Sequence, residues 1–364
     1  MGLFGDNDAI YKQIDQLQAE GKYEQILEKI ESVPEKKMSN KLWFKKIQAM
    51  NALGRFKEAR REIGLLSKRC SEPKEDAMLF YLMGNTFEYS GHALKAMECY
   101  RKTQEFDPGF DGISGRIDSC RETAKQEFGK INDAFGQMFS EVDAAFSEAK
   151  DQKKLEYPIA LNYASMIGSS FIPSGTGLKL PLDDPFFKCE DKEINKNVKD
   201  YLERKYGVSD VKSLQQWYGN NRMAPTIQGV RNALSNNIPM PVEKMDAKSI
   251  AYFESIVFSL NSLEEFLPEE GVIAWDFNVV IALARLLFAV GSISNTEFCE
   301  ASLFFTDECK RNFSSWKDYA HSVIIGGYFN ALFEMQYDVS NATMFGTVAS
   351  RICKENYPKV TWIN

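Results

Sequence analysis

Ala77-Met78-Leu79-Phe80-Tyr81-Leu82-Met83-Gly84-Asn85-Thr86-Phe87, continued by Gly91-His92-Ala93-Leu94-Lys95-Ala96 and closed by Tyr100 and Pro108, decides the fold of the first part of this 364-residue chain. Gly84 and Ala96 are small, as two closely approaching antiparallel helices require. Phe80, Phe87 and Tyr100 are large enough to fill the space beside them, and Pro108, with no backbone N–H, ends the second helix. Counted from Ala77, Phe80, Gly84, Phe87, Ala96, Tyr100 and Pro108 fall at positions 4, 8, 11, 20, 24 and 32.

Those positions resemble the tetratricopeptide repeat template. Gly21, Gly54 and Gly91 mark three helix-to-helix turns separated by 33 and 37 residues, close to the ~34-residue period of that repeat. The middle copy carries Trp43, Gly54-Arg55-Phe56, Ala59, Ile63 and Leu66. The first carries Leu17, Gly21-Lys22-Tyr23, Ile26 and Ile30, with Ile26 where a small Ala is preferred. Each copy buries its apolar face only against its neighbours, so about three are needed and a capping helix should follow. Ile117, Cys120, Ala124, Phe128, Ile131, Phe135, Met138 and Phe139 recur at helical spacing and supply it, as one long helix or two, between 113 and 150.

The repeat resemblance implies a groove that holds a peptide or helix of a protein partner. The candidate partner-binding residues on the inner helix faces are Phe44, Gln48, Asn51, Tyr81 and Asn85. Aromatics and amides there favour an apolar or helical ligand over a chaperone-tail carboxylate, whose clamp needs Lys, Arg and Asn.

Composition narrows the function classes. Hydrophobic residues make up 44% and charged residues 26%, and the net charge of −7 argues against a nucleic-acid partner, which calls for a basic stripe. The longest apolar run, from Val279 to Val290, is interrupted by Arg285 and too short to span a bilayer. The N-terminus lacks a basic region before an apolar core, and Asp6 stands where a myristoylation signal beginning at Gly2 needs Ser or Thr. A cytoplasmic protein without a membrane partner is expected. Cys70, Cys99, Cys120, Cys189, Cys299, Cys309 and Cys353 are odd in number and contain no C-x-x-C pair, so neither disulfides nor a zinc site is expected. No cofactor is expected either.

The stretch 169–177, followed by Pro181 and Pro185, reads as a linker; Ser174-Gly175-Thr176-Gly177 within it does not complete a phosphate loop. The chain is therefore divided into a repeat domain, 1–150, and a second domain, 151–364. Beyond Glu193 the periodicity is helical. Val198, Tyr201, Leu202 and Tyr206 form one apolar face and Val211, Leu214 and Trp217 the next; Ser294-Asn295-Thr296-Glu297 is a capping box. The fold class is all-α: tetratricopeptide-like helical hairpins followed by a mostly helical globular domain.

Three segments of the second domain resemble the bacterial domain-of-unknown-function 1266 family. They are Tyr206-Gly207-Val208-Ser209 through Trp217 to Arg222; Ile273-Ala274-Trp275-Asp276 through Arg285 to Gly291-Ser292-Ile293-Ser294; and Phe313-Ser314-Ser315-Trp316-Lys317-Asp318-Tyr319 with Gly326-Gly327. The resemblance covers roughly Glu190 to Leu332. Tyr206 stands for a Trp and Asn221 for a His, while Val279 and Gly327 occupy positions where the family usually carries Arg. The resemblance implies no activity.

Trp275, Asp276, Arg285, Trp316, Asp318 and Tyr319 are the residues of a candidate polar site in this domain. Arg285 lies nine residues after Asp276, nearly opposite on the helix, so it needs another carboxylate, Asp318 or Glu297, or an external anion. Of the two histidines, His92 sits in a repeat turn and His321 shares a helix face with Asp318. No nucleophile elbow or H-E-x-x-H motif is present. The expectation is a protein-recognition protein without catalysis that binds its partner through the repeat groove, the C-terminal helical domain or both, and that neutralises a secreted toxin or serves as an adaptor. The alternative is an enzyme or small-anion binder with a site around Arg285, Trp316 and Asp318.

Overall fold

The computed structural model describes residues 5–34, 38–70, 72–149, 152, 178–181, 184–239 and 242–362, and among them there are helices and no β-strand. The stretch 169–177 and the boundary at 150/151 lie outside the described residues. By internal contacts the chain forms two compact units, Met1–Phe128 with Met240–Phe258, and Gly129–Pro239 with Ser259–Asn364.

In the first unit, α1 (Gly5–Ala19) and α2 (Tyr23–Glu31), α3 (Asn40–Ala52) and α4 (Phe56–Leu66), and α5 (Pro73–Tyr89) and α6 (Ala93–Phe106) are three helical hairpins, followed by α7 (Ile113–Gly129). The three turns share one geometry. Gly21, Gly54 and Gly91 adopt φ of 69, 71 and 78°, the left-handed region that glycine enters without strain. In each, the following N–H (Lys22, Arg55, His92) returns 2.9 Å to the carbonyl of Leu17, Met50 or Phe87, and the glycine N–H lies 3.1 Å from the carbonyl three residues back. This double bond satisfies carbonyls the helix end leaves open.

The third hairpin is closed by size complementarity. A Cβ on Gly84 would overlap the ring of Tyr100, which is fully buried against it. Phe80 stacks on Phe106 at 5.5 Å, and α6 stops two residues before Pro108. The segment 242–258 joins this unit through Glu254, which pairs with Arg101 at 2.7 Å and Arg121 at 3.5 Å, and through the Phe258 ring, tilted against Phe128 at 5.7 Å.

The second unit contains α8 (Ile131–Glu148), α9 (Lys192–Tyr206), α10 (Val211–Asn220), α11 (Ala224–Ser235), α13 (Ile273–Ala289), α14 (Asn295–Asn312), α15 (Trp316–Glu334) and α16 (Val339–Asn356); α12 (Ala247–Leu263) begins in the first unit and ends in this one. The expected stretch 113–150 is two helices, broken at Lys130, and the second of them packs on α16. There Gly346 lets Phe135 approach, Ser350 donates to the Met138 carbonyl, and Lys354 pairs with Glu141 at 2.7 Å. These contacts place α8 with 259–364, whereas the sequence division put it with the repeats.

Helix α13 is the axis of this unit. α9, α10, α11, α14 and α15 all pack against it, and it is buried on every side apart from Ile273 and Val279. An all-round apolar helix this short belongs in a protein core. Ser294 and Glu297 form the expected capping box of α14, with bonds of 3.3 and 2.7 Å. A second box, Asp210 with Ser213, starts α10.

Candidate functional site

The C-terminal end of α9 and the face of α10 bring together three half-buried aromatic rings. Tyr206 meets Tyr201 and Trp217 edge-on, each at 5.8 Å, and the Lys205 ammonium lies 5.9 and 5.4 Å over the two tyrosine rings. The chain turns between the helices at Gly207, whose φ of 66° is left-handed. Burial, then a hydrogen bond with Tyr201, pushes the Tyr206 hydroxyl up from its ordinary pKa.

Trp275 is the second component. Gly326 and Gly327 of α15 are needed beside it. A Cβ on Gly326 would overlap the Trp275 Cβ, and one on Gly327 would come within 2.9 Å of its Cζ3. The Trp275 indole meets Phe345 of α16 edge-on at 6.0 Å. Tyr319 donates to the Ala274 carbonyl and the Ala274 N–H donates 3.1 Å to the Ser322 hydroxyl, fixing the start of α13 on α15.

Asp276 is the third. Its carboxylate, 5% exposed, accepts from the N–H groups of Met223 and Ala224, both at 3.0 Å, at the start of α11. Asp276 thus closes the N-terminus of a helix other than its own, where free amides favour negative charge. Burial raises its pKa to about 6, against the pull of those two amides and of Arg222. Among the described residues no cation forms an ion pair with it.

These three components line one cavity of about 470 Å³. Tyr201, Tyr206, Trp217, Trp275 and Phe345 give it aromatic walls; Val279, Leu283, Leu286 and Ile352 give it an aliphatic side; Asp276, Asn330, Glu334 and Lys205 are its polar groups. A cavity of this size, apolar with few polar groups, is the usual form of a small-ligand site. Residues 201–344 match the family model described as Protein of unknown function (DUF1266). No curated protein and no solved structure matches the chain. The matched residues contribute every cavity-lining side chain named above except Phe345 and Ile352.

The candidate polar site read from the sequence is not brought together. Trp275 and Asp276 line the cavity; Arg285, Trp316, Asp318 and Tyr319 do not. Arg285, 1% exposed, donates to the carbonyls of Pro181 and Asp184, the latter at 3.0 Å. Burial lowers its pKa to about 10, and the nearby Asp184 charge opposes that shift. Asp318 and Glu297, expected as its partners, are occupied at helix starts: Asp318 accepts from the Ser314 and Ser315 hydroxyls at 2.9 and 2.7 Å, and Glu297 closes its capping box. Trp316 stacks on Tyr357 at 4.8 Å and meets Trp362 and Tyr319 edge-on, so the third sequence segment builds an aromatic core. His321 bonds Asp143 of α8 at 3.0 Å, not Asp318, and its ring lies 4.2 Å from Phe139. Burial lowers its pKa, with the Asp143 charge opposing.

The five candidate partner-binding residues of the first unit also divide. Asn51 donates to the Leu82 carbonyl and accepts from Thr86 at 2.9 Å. Asn85 accepts from Tyr100 at 2.8 Å and from Arg116 at 2.7 Å. Buried amides must spend their hydrogen bonds internally, so neither is open to a partner. Tyr81 is half-buried under Arg116 and 4.9 Å from Phe110. Phe44 and Gln48 are half-buried, and Gln48 makes no side-chain hydrogen bond among the described residues. Asn330, Glu334 and Phe345 escaped the sequence reading because they lie on other helices, with no motif linking them to Asp276.

Proposed function

We propose that this chain is a cytoplasmic recognition protein that binds a protein partner through its tetratricopeptide-like hairpins, without catalysis. The observation that carries the reading is the three-hairpin unit itself. Its successive first helices α3 and α5 hold Phe44 and Tyr81 half-buried on a shared apolar cluster instead of sealing them, and Gln48 of α3 is half-buried too. A rigid array with partly open aromatics suits a helix or extended peptide. The charged groups singled out by sequence support the same reading. Arg285, Asp318 and His321 each hold the fold together through named internal bonds.

The test is photo-crosslinking from position 48 in the native host, with the exposed position 58 of α4 as control. One stoichiometric partner joined from 48 and not from 58 is the expected result. Equal labelling from both positions, or labelling only from second-unit positions such as Phe304, overturns the groove assignment. The narrower readings separate on the partner's own activity: a toxin is silenced in the complex, whereas the client of an adaptor stays active.

A further inference from the structure

The cavity of the second unit has an unbalanced charge. Lys205 lies 3.6 Å from Glu334 at its rim, so these two offset one another. Among the described residues Asp276 has no such counterpart. Arg222 sits over the Tyr218 ring at 5.2 Å and acts on Asp276 through its field only. A carboxylate this buried is costly unless paired, and two amide bonds leave part of its acceptor capacity unused.

What surrounds it is also selective. Aromatic faces attract cations through their quadrupoles and repel anions. Tyr201, Tyr206, Trp217 and Phe345 are half-buried around the cavity, and the fully housed Trp275 adds a fifth ring. Asn330, half-buried, makes no side-chain hydrogen bond among the described residues and offers both a donor and an acceptor. Val279, Leu283, Leu286 and Ile352 continue the cavity as hydrocarbon.

We propose that this cavity binds an organic ammonium group carried on an apolar stem, with the ammonium at Asp276 among the aromatic rings and the stem along Val279, Leu283, Leu286 and Ile352. The ammonium supplies the charge Asp276 lacks, the rings replace part of its hydration, and the stem displaces water from the aliphatic side. An anionic ligand is disfavoured by both carboxylates. The same chemistry reaches the cavity from two sources, a free alkylamine or a lysine side chain of a polypeptide.

The experiment uses the full chain and titrates it with hexylammonium, 1-hexanol and hexanoate, followed by calorimetry and tryptophan fluorescence. Hexylammonium is expected to bind at least tenfold more tightly than either isostere. Asp276→Asn should remove that preference. Val279→Arg is the second variant, because position 279 lies one helical turn from Asp276 and lines the same cavity. It places a tethered cation in the site, so in protein whose circular dichroism matches the wild type hexylammonium affinity should fall at least tenfold. Competition by Nα-acetyl-lysine amide as strong as hexylammonium assigns the site to a side chain; weaker competition assigns it to a free amine. Equal affinity for all three hexyl compounds, no binding of hexylammonium, or binding unchanged in folded Val279→Arg overturns the proposal.

Discussion

Gly326 and Trp275 are packed backbone against side chain: the tryptophan Cβ occupies the space a Cβ on residue 326 would need. Helix α15 therefore approaches α13 more closely at this point than any other residue type allows. Gly327 extends the same contact along the indole ring. The cavity wall depends on this fit, because it fixes the indole that faces Phe345.

Gly326→Ala is expected to lower unfolding stability by about 1–3 kcal/mol, the usual range for overpacking a filled core. Gly229 of α11 is the contrast: nothing lies within 4 Å of its added Cβ. There the better helix propensity of alanine should raise stability by about 0.5–1 kcal/mol. Urea denaturation of both variants checks the pair, and a neutral Gly326→Ala would contradict the close approach.

Asp276 gives a pH prediction. Its folded pKa of about 6 stands above the ordinary 3.8, so between those values the native chain holds a proton that the unfolded chain has released. Its contribution is therefore greatest below pH 3.8 and is lost as pH rises through 6. Relative to Asp276→Asn, the wild type should lose on the order of 3 kcal/mol between pH 4 and 7. Denaturation midpoints of both proteins across that range measure the difference, in which other carboxylates cancel. A difference flat with pH would rule out the desolvation account.

Arg285 ties the segment around Pro181 and Asp184 to α13. Arg285→Met keeps the volume and removes the donors, leaving two carbonyls without them. Trypsin should then cut after the exposed Lys179 several-fold faster than in the wild type, with the helical core intact by circular dichroism. Unchanged cleavage would mean that the segment is held by Leu178 and Leu180 alone.

In the first unit, the Tyr100 hydroxyl donates to Asn85 and Glu88, and Arg116 joins the same two acceptors. Burial, followed by the Glu88 bond, raises the Tyr100 pKa far above its ordinary value, so it stays a donor. Tyr100→Phe should cost about 1–2 kcal/mol, a hydrogen bond plus part of the desolvation of the acceptors it leaves. Thermal unfolding is the readout, and an unaltered midpoint would show that Arg116 alone satisfies them.

The helices, the three glycine turns and the capping box at Ser294 were legible because each rests on residues close in sequence. Helical periodicity, a left-handed glycine and an i,i+3 cap are local, and local rules are written in the order of residues. Trp275 and Asp276, two of the six residues singled out from the sequence, line the cavity. The partners of Arg285, Asp318 and His321 were not legible. Asp318 and Glu297 were taken by nearby hydroxyls and amides at helix starts, the first groups within reach once those helices form. His321 and Asp143 are separated by 178 residues.

The sequence by itself determined that this protein is all-helical and that its first three hairpins turn at Gly21, Gly54 and Gly91. Tertiary structure alone decided which polar side chains are spent internally and which face a cavity. Asn51 and Asn85 went to the first group and Asp276 joined Asn330 in the second. The reason is physical: a backbone turn is satisfied by atoms within five residues of one another, whereas a buried amide or carboxylate takes whatever donor the packing of distant helices brings to it.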